Sequence, residues 1–125
     1  MLEKMLRMSA LLDRYSVLLT DKQREIATDY FLNDLSLGEI AEAQGISRQA
    51  VYDTLVRAER AMEGYEAQFG LVARSEELHR RLANSAARLR EARDHLAKGN
   101  CAQAGAVLES VEEALEGLLS EPDLL

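Results

Sequence analysis

Six side chains on one predicted helix are the best candidates for a functional site in this sequence, and the function that they suit is binding. At 100° per residue, most of them project away from the apolar side of the same helix. Arginine or glutamine can contact a base edge or a phosphate, and aspartate can accept a hydrogen bond from a cytosine amino group. We therefore predict that they bind nucleic acid or a partner protein. They are Arg48, Gln49, Asp53, Val56, Arg57 and Arg60.

Two helices joined by a glycine turn must position this surface. Ser36 and Glu39 form a capping box at the start of the first helix. Gly45 can take the left-handed conformation that ends this helix, and Ser47 is a good N-cap for the next. The second helix places four apolar residues on one side: Val51, Leu55, Ala58 and Met62. This pattern predicts a helix-turn-helix whose second helix is the reading element.

The charge of the sequence argues against tight binding to bare DNA. Its 15 basic and 22 acidic residues give a net charge of −7, and residues 1–66, with 8 basic and 12 acidic residues, carry −4. The second helix is neutral, because Asp53, Glu59 and Glu63 balance its three arginines. Phosphate neutralisation supplies most of the affinity of DNA-binding modules. We therefore expect weak binding to DNA, and a working partner that is a protein or an RNA already complexed with basic protein.

The other patterns of the sequence predict an all-α fold. A first helix is expected over 2–19, and Thr20 with Gln23 forms a second capping box that starts another helix. A joint is expected near Gly70. The chain should thus consist of a helix-turn-helix domain, 1–70, and a C-terminal helical hairpin, 71–125. The expected apolar face of the first helix comprises Leu2, Met5, Leu6, Leu12, Tyr15, Leu18 and Leu19.

The tail is predicted to form two helices connected by a short turn. Ser75 should cap the first of them, Asn100 with Gln103 should cap the second, and Pro122 should end the ordered chain. One stripe repeats every seven residues, which is the spacing for packing along another helix. It can be covered by the other helix of the hairpin or by a second molecule, and we expect a homodimer through the C-terminal helices. The stripe consists of Leu82, Leu89 and Leu96, with Leu78, Ser85 and Ala92 at the alternate positions.

Catalytic residues do not form a recognisable set in this sequence. His79 and His95 lie sixteen residues apart, and Cys101 is the only cysteine that could join them in a metal site. The many carboxylates fall on positions of amphipathic helices that should face solvent. We therefore expect a protein that is not an enzyme and that uses no metal or cofactor. We also expect no signal peptide and no membrane insertion, and we predict a cytoplasmic location.

Several stretches of this sequence resemble a known protein family. The stretches LTDKQRE and SLGEIAEAQGISRQAVYD, with the following RAERAM and YE, are similar to the YlxM-like family of small bacterial helix-turn-helix proteins. The resemblance covers about residues 1–70, and the same core looks like region 4 of bacterial sigma factors. Proteins of this family are typically encoded beside the signal recognition particle GTPase. The resemblance thus implies a sigma region 4-like bundle and a role in that targeting pathway.

Two classes of function are compatible with these features of the sequence. In the first, the protein is a regulator or accessory component of the signal recognition particle pathway and contacts the particle's protein or RNA, or its receptor. In the second, it is a sequence-specific DNA-binding transcriptional regulator. The charge of the chain favours the first class, and the geometry of the motif favours the second.

Overall fold

The computed structural model describes residues 1–121, and over this range the chain is all-α, as predicted. The helices are α1 (Leu2–Tyr15), α2 (Asp21–Phe31), α3 (Leu37–Gln44), α4 (Arg48–Phe69), α5 (Leu71–Ala97) and α6 (Cys101–Leu119). A short 3₁₀ turn, Ser16–Leu18, follows α1. No helix in the described part combines the length and the apolar character that a bilayer crossing requires. The expected chain end at Pro122 lies outside the described residues.

The predicted caps of the first three connections are confirmed. Thr20 accepts a hydrogen bond from the amide of Gln23, and the Gln23 side chain accepts one from the amide of Thr20. Ser36 and Glu39 form the same reciprocal pair at the start of α3. At the start of α4, the Ser47 hydroxyl accepts a hydrogen bond from the amide of Ala50. These caps satisfy amides that have no partner inside their own helix, and so they define where α2, α3 and α4 begin.

The first compact unit comprises Met1–Arg74. Its core joins buried side chains of α1, α2, α3 and α4 with Val72 from the first turn of α5. The residues predicted to point inward from α4 are all buried there. The members of this core include Leu11, Leu12, Tyr15, Ile26, Ala27, Phe31, Ile40, Ala41, Val51, Leu55, Ala58 and Met62.

The predicted face of the first helix was partly wrong. The α-helix ends at Tyr15 rather than at residue 19, and Leu2, Leu6 and Leu18 are exposed. The buried stripe instead includes Met8 and Leu11, which with Leu12 and Tyr15 recur at spacings of three and four residues. Leucines occur on several sides of α1, so the pattern alone did not decide which side faces the neighbouring helices.

The joint between α4 and α5 also differs from the prediction. Gly70, with φ of 64°, ends α4, and α5 begins directly at Leu71, so the predicted cap at Ser75 was wrong. The Glu66 carboxylate accepts hydrogen bonds from the amides of Val72 (2.9 Å) and Ala73 (3.0 Å). A side chain of the preceding helix therefore caps α5. Glu66 is buried, and so the expectation that the carboxylates face solvent fails for this residue.

The second compact unit begins at Ser75 and contains the predicted helical hairpin. The turn at its end includes Gly99, with φ of 78°, and Asn100 precedes α6 without a side-chain cap, so that predicted cap was wrong. Arg81 of α5 forms an ion pair with Glu121 beyond α6, which shows that the two helices run in opposite directions. Between residues 75 and 121, the buried side chains of this unit are Ser85, Ala92, Ala104, Val111 and Leu118. The division of the chain into folding domains at residue 70 stays a prediction.

Candidate functional site

The helix-turn-helix is built by α3, α4 and the turn between them. Gly45 has φ of 66°, the left-handed conformation that the sequence predicted. The amide of Ile46 donates to the carbonyl oxygen of Ala41 at 3.1 Å, which closes the end of α3 in the usual glycine-terminated manner. Ile40 and Ala41 are buried in the same core as Val51 of α4. This packing turns the opposite side of α4 outward.

The six predicted recognition residues differ in how exposed they are in the structure. Five of them are exposed on α4: Arg48, Gln49, Asp53, Arg57 and Arg60. We call these five residues the outer face of α4, with Arg48 at its leading end and turned toward α3. Val56 is only partly exposed and lines a groove beside this face rather than belonging to it. The helix thus presents a polar face with an apolar border.

Arg48 lies across the start of α3. A Cβ atom added at Gly38 would come within 2.9 Å of an Arg48 guanidinium nitrogen, which is closer than real Cβ atoms approach other atoms. Gly38 therefore provides the space in which the guanidinium rests. The sequence contained this glycine one position inside the predicted helix, but its role depends on an arginine from the next helix. The sequence interpretation did not recognise it.

Gln49 and Asp53 contact each other on the outer face. The Gln49 side-chain amide donates a hydrogen bond to an Asp53 carboxylate oxygen at 3.0 Å. The two residues are four positions apart, which places them one above the other on a helix. In this arrangement the amide that could read an adenine is engaged by the neighbouring carboxylate. A base would have to replace an existing hydrogen bond.

The acidic residues of α4 do not all share the outer face. Glu59 pairs with Lys4 of α1 at 3.2 Å, and the two carboxylate oxygens of Glu63 accept hydrogen bonds from Nε and Nη2 of the Arg7 guanidinium at 3.0 Å each. These two glutamates therefore face α1. The sequence count, which balanced three arginines against Asp53, Glu59 and Glu63, missed this separation and left out Glu66 near the end of α4. The outer face has three arginines against the single carboxylate of Asp53. Among residues 1–121, none of these three arginines forms an ion pair.

An apolar groove borders the outer face on the side of α1 and α2. It has a volume of about 210 Å³ and is lined by Met5, Tyr30, Tyr52 and Val56, with Lys4 and Glu59 among the polar residues at its sides. Tyr52 is 53% exposed and was not among the predicted site residues. The signal that could have found it is an aromatic residue on the polar side of an amphipathic helix. Aromatic side chains at such positions are typical of protein-binding surfaces.

Metal-binding side chains do not gather in the described part of the chain. Over residues 1–121, no three residues of the types His, Cys, Asp and Glu come close enough to hold an ion. Cys101 is exposed at the first position of α6. The candidate site therefore consists of the outer face and its groove.

Comparisons with known proteins agree with this geometry. Residues 2–100 match the family model described as "Putative helix-turn-helix protein, YlxM / p13 like". The UPF0122 protein of Thermoanaerobacter sp. (strain X514) is 57% identical over 75 residues, which are 60% of this chain and 64% of that protein. The UPF0122 protein of Halalkalibacterium halodurans is 53% identical over 76 residues, 61% of this chain and 70% of that protein. The one from Bacillus cereus (strain AH187) is 51% identical over 83 residues, 66% of this chain and 76% of that protein. The chain thus spans somewhat less than two thirds of the length of the first of these relatives.

Proposed function

Because the chain belongs to this YlxM / p13 like family of helix-turn-helix proteins, we propose that it is a non-enzymatic accessory component or regulator of the signal recognition particle pathway. The resemblance described above motivates the choice of pathway, since family members are typically encoded beside the particle's GTPase. The helix-turn-helix is then a contact surface, and its partner is the particle's protein or RNA, or the receptor. The proposal takes the cytoplasm as the compartment of this contact.

The observation that carries the proposal is the apolar groove at the border of the arginine-bearing outer face. A protein interface typically combines an apolar pocket that receives an anchoring side chain with arginines around it. The phosphate backbone of duplex DNA offers no apolar side chain to fill a groove lined by Met5, Tyr52 and Val56. Of the particle's components, a protein surface therefore fits this combination better than bare nucleic acid does.

The overall charge supports the same choice. A chain of net charge −7 repels the phosphates of long duplex DNA, and the electrostatic attraction of such a chain to DNA is correspondingly weak. The three arginines of the outer face act locally. They are placed to contact carboxylates of a protein or a few phosphates of an RNA that basic protein has already neutralised.

The proposal is tested by measuring binding to the purified GTPase of the particle, with and without the particle RNA, and to the receptor. We expect Arg57→Ala and Gln49→Ala to weaken binding, because both side chains lie on the outer face. A matched control is Arg80→Ala, which removes an exposed arginine that pairs with Glu77 in the second unit. Wild-type binding that Arg57→Ala and Arg80→Ala weaken equally would contradict the proposed role of the outer face.

Sequence-specific DNA binding is the second candidate function. Its support is the intact geometry of the motif, in which Gly45 turns α4 outward, together with three arginines free of ion pairs among residues 1–121. This candidate predicts a dissociation constant of about 10⁻⁸ M or better at physiological salt. Selection from a random duplex pool distinguishes the two candidates. One enriched motif that is lost in Gln49→Ala would favour the transcriptional regulator.

Asp53→Arg provides a further distinction between the two candidates. The substitution replaces the one carboxylate of the outer face with a cation and releases Gln49 from its hydrogen bond. General affinity for duplex DNA should rise, and the slope of log affinity against log salt should steepen by about one unit for each phosphate contacted. Binding to the particle's protein should not show the same steepening with salt, because the salt slope arises from counterions released by nucleic acid. An equal steepening for both ligands would contradict a protein partner.

A further inference from the structure

The helical hairpin of the second unit leaves five of its leucines about half exposed. Its buried seam consists mainly of small residues, among them Ser85, Ala92 and Ala104, with Val111 and Leu118 toward the end of α6. The exposed fractions of the leucines range from 36% to 53%. Ser85 and Ala92 of the stripe predicted from the sequence are thus buried, whereas its leucines at positions 82, 89 and 96 are only about half covered. The leucines concerned are Leu82, Leu89 and Leu96 of α5 and Leu108 and Leu115 of α6.

These five leucines lie on one side of the hairpin. Each follows a seam position by four residues, as Leu89 follows Ser85 in α5 and Leu108 follows Ala104 in α6. Four residues correspond to a rotation of about 40° beyond one full turn. Because α5 and α6 run in opposite directions, this rotation moves both leucine rows toward the same side of the plane that contains the two helices. The hairpin therefore presents one continuous apolar face, which we call the leucine face.

The charges of the two helices are complementary to each other. α5 has six arginines against four acidic residues, whereas α6 has four glutamates and no basic residue. Arg93 lies beside the leucine row of α5, between Leu89 and Leu96 on the helix surface. Glu112 has the same relation to Leu108 and Leu115 in α6. The leucine face thus has a basic border along one helix and an acidic border along the other.

We propose that a second copy of this chain covers the leucine face, so that two hairpins form a four-helix bundle with α5 of each copy against α6 of the other. A two-fold axis makes such an interface self-complementary. It places the arginines of α5 opposite the glutamates of α6, whereas packing α5 on α5 would bring arginines together. For α5 of each copy to pack against α6 of the other, the two-fold axis must run parallel to the helices. Both hairpin turns then lie at the same end of the bundle.

The interface itself is tested by sedimentation equilibrium of the full chain. We expect a dimer, and we expect Leu89→Glu to raise its dissociation constant by about 100-fold, since symmetry removes two buried leucines at once. Leu32→Glu is the matched control, because Leu32 is 49% exposed but lies in the first unit. Circular dichroism verifies that both variants keep their helices. A wild-type monomer at high micromolar concentration, or equal effects of the two variants, would overturn the proposal.

The arrangement of the two copies is tested by a distance. Cys101 is the one cysteine of the sequence and is exposed beside the hairpin turn, so a spin label attached there marks the turn in the wild-type chain. With both turns at one end, the label-to-label distance should be about 10–25 Å, set by the spacing of neighbouring helices. With the turns at opposite ends, it would be about 34 Å or more, the length of α5 from Ser75 to Ala97. The longer distance would overturn the pairing of α5 with α6.

Discussion

Replacing Glu66 by alanine should destabilise the protein more than any other single loss of a carboxylate in the first unit. The Glu66 side chain accepts hydrogen bonds from the Tyr15 hydroxyl at 2.5 Å and from the amides of Val72 and Ala73. The Tyr15 hydroxyl in turn accepts one from the amide of Leu71 at 3.0 Å. These contacts connect α1, α4 and the start of α5 through two buried side chains.

The magnitude follows from the donors that lose their acceptor. A buried donor without a partner costs about 1–3 kcal/mol, and three donors are affected, although water can reach the exposed Ala73. We therefore expect Glu66→Ala to lower the free energy of unfolding by about 3–5 kcal/mol. Tyr15→Phe should cost less, since the carboxylate keeps both amides.

Urea denaturation followed by circular dichroism measures this loss. The matched control is Glu63→Ala, one turn earlier in α4, which removes an ion pair with Arg7 at the surface. Such pairs contribute about 0–1 kcal/mol. A Glu66→Ala variant that is no less stable than the Glu63→Ala variant would refute the account of this joint.

The same carboxylate makes stability depend on pH. Burial by itself raises the pKa of Glu66, but hydrogen bonds from Tyr15, Val72 and Ala73 outweigh burial and hold the pKa below its ordinary value of 4.5. Its stabilising effect is therefore complete above pH 4.5 and is lost as the pH falls through the lowered pKa of the folded state. The difference in unfolding free energy between the wild type and Glu66→Ala should shrink on acidification in this window. A constant difference would contradict the lowered pKa.

Two further predictions concern glycines. Gly45→Ala should destabilise the protein by about 1–2 kcal/mol, because an L side chain is strained at positive φ. The same change at Gly64, inside α4 with open space around it, should be neutral or stabilising. Equal effects of the two changes in thermal unfolding would contradict the role of Gly45 in the turn. Gly38→Ala should displace the Arg48 guanidinium with little loss of stability, because only the end of a flexible side chain must move. Partner binding should change while the melting temperature does not, and a large drop in melting temperature would show that Arg48 is held rigidly.

The parts of the fold that the sequence predicted correctly depend on contacts between residues close in the chain. A capping box connects residues three apart, as in Ser36 and Glu39, and the turn at Gly45 depends on the conformation of one residue. The apolar side of α4 was also predictable, because its buried residues recur at helical spacing from Val51 to Met62. Such signals are complete within a few residues, so their meaning does not depend on the rest of the fold.

The features that were missed depend on residues far apart in the chain. Ser75 has the right chemistry for a cap, but α5 begins at Leu71, and its first amides are capped by Glu66 and Tyr15, which are 51 positions apart. The covered side of the hairpin was also not predictable from the leucine repeat. Small residues such as Ala92 and Ala104 allow the helices to approach each other, and five leucines then stay about half exposed.

The candidate site was predictable in its composition but not in its shape. Five of the six predicted residues are exposed on α4, and their role in binding stays a prediction. The distribution of charge could not be predicted, because it depends on Lys4 and Arg7 of α1 drawing two glutamates of α4 to their side. The groove beside Tyr52 has the same origin, since residues of α1, α2 and α4 form its walls together.

The central claim is that the protein binds the signal recognition particle rather than DNA. Its most direct test is the dissociation constant for the reconstituted particle, measured at physiological salt with random duplex DNA in excess. The outer face and its groove predict saturable binding that the DNA does not displace and that Arg57→Ala weakens by about tenfold or more, the loss of an arginine in the interface. Arg80→Ala should leave this constant unchanged. An absence of binding to the particle, or complete displacement by the duplex DNA, would contradict the proposed function.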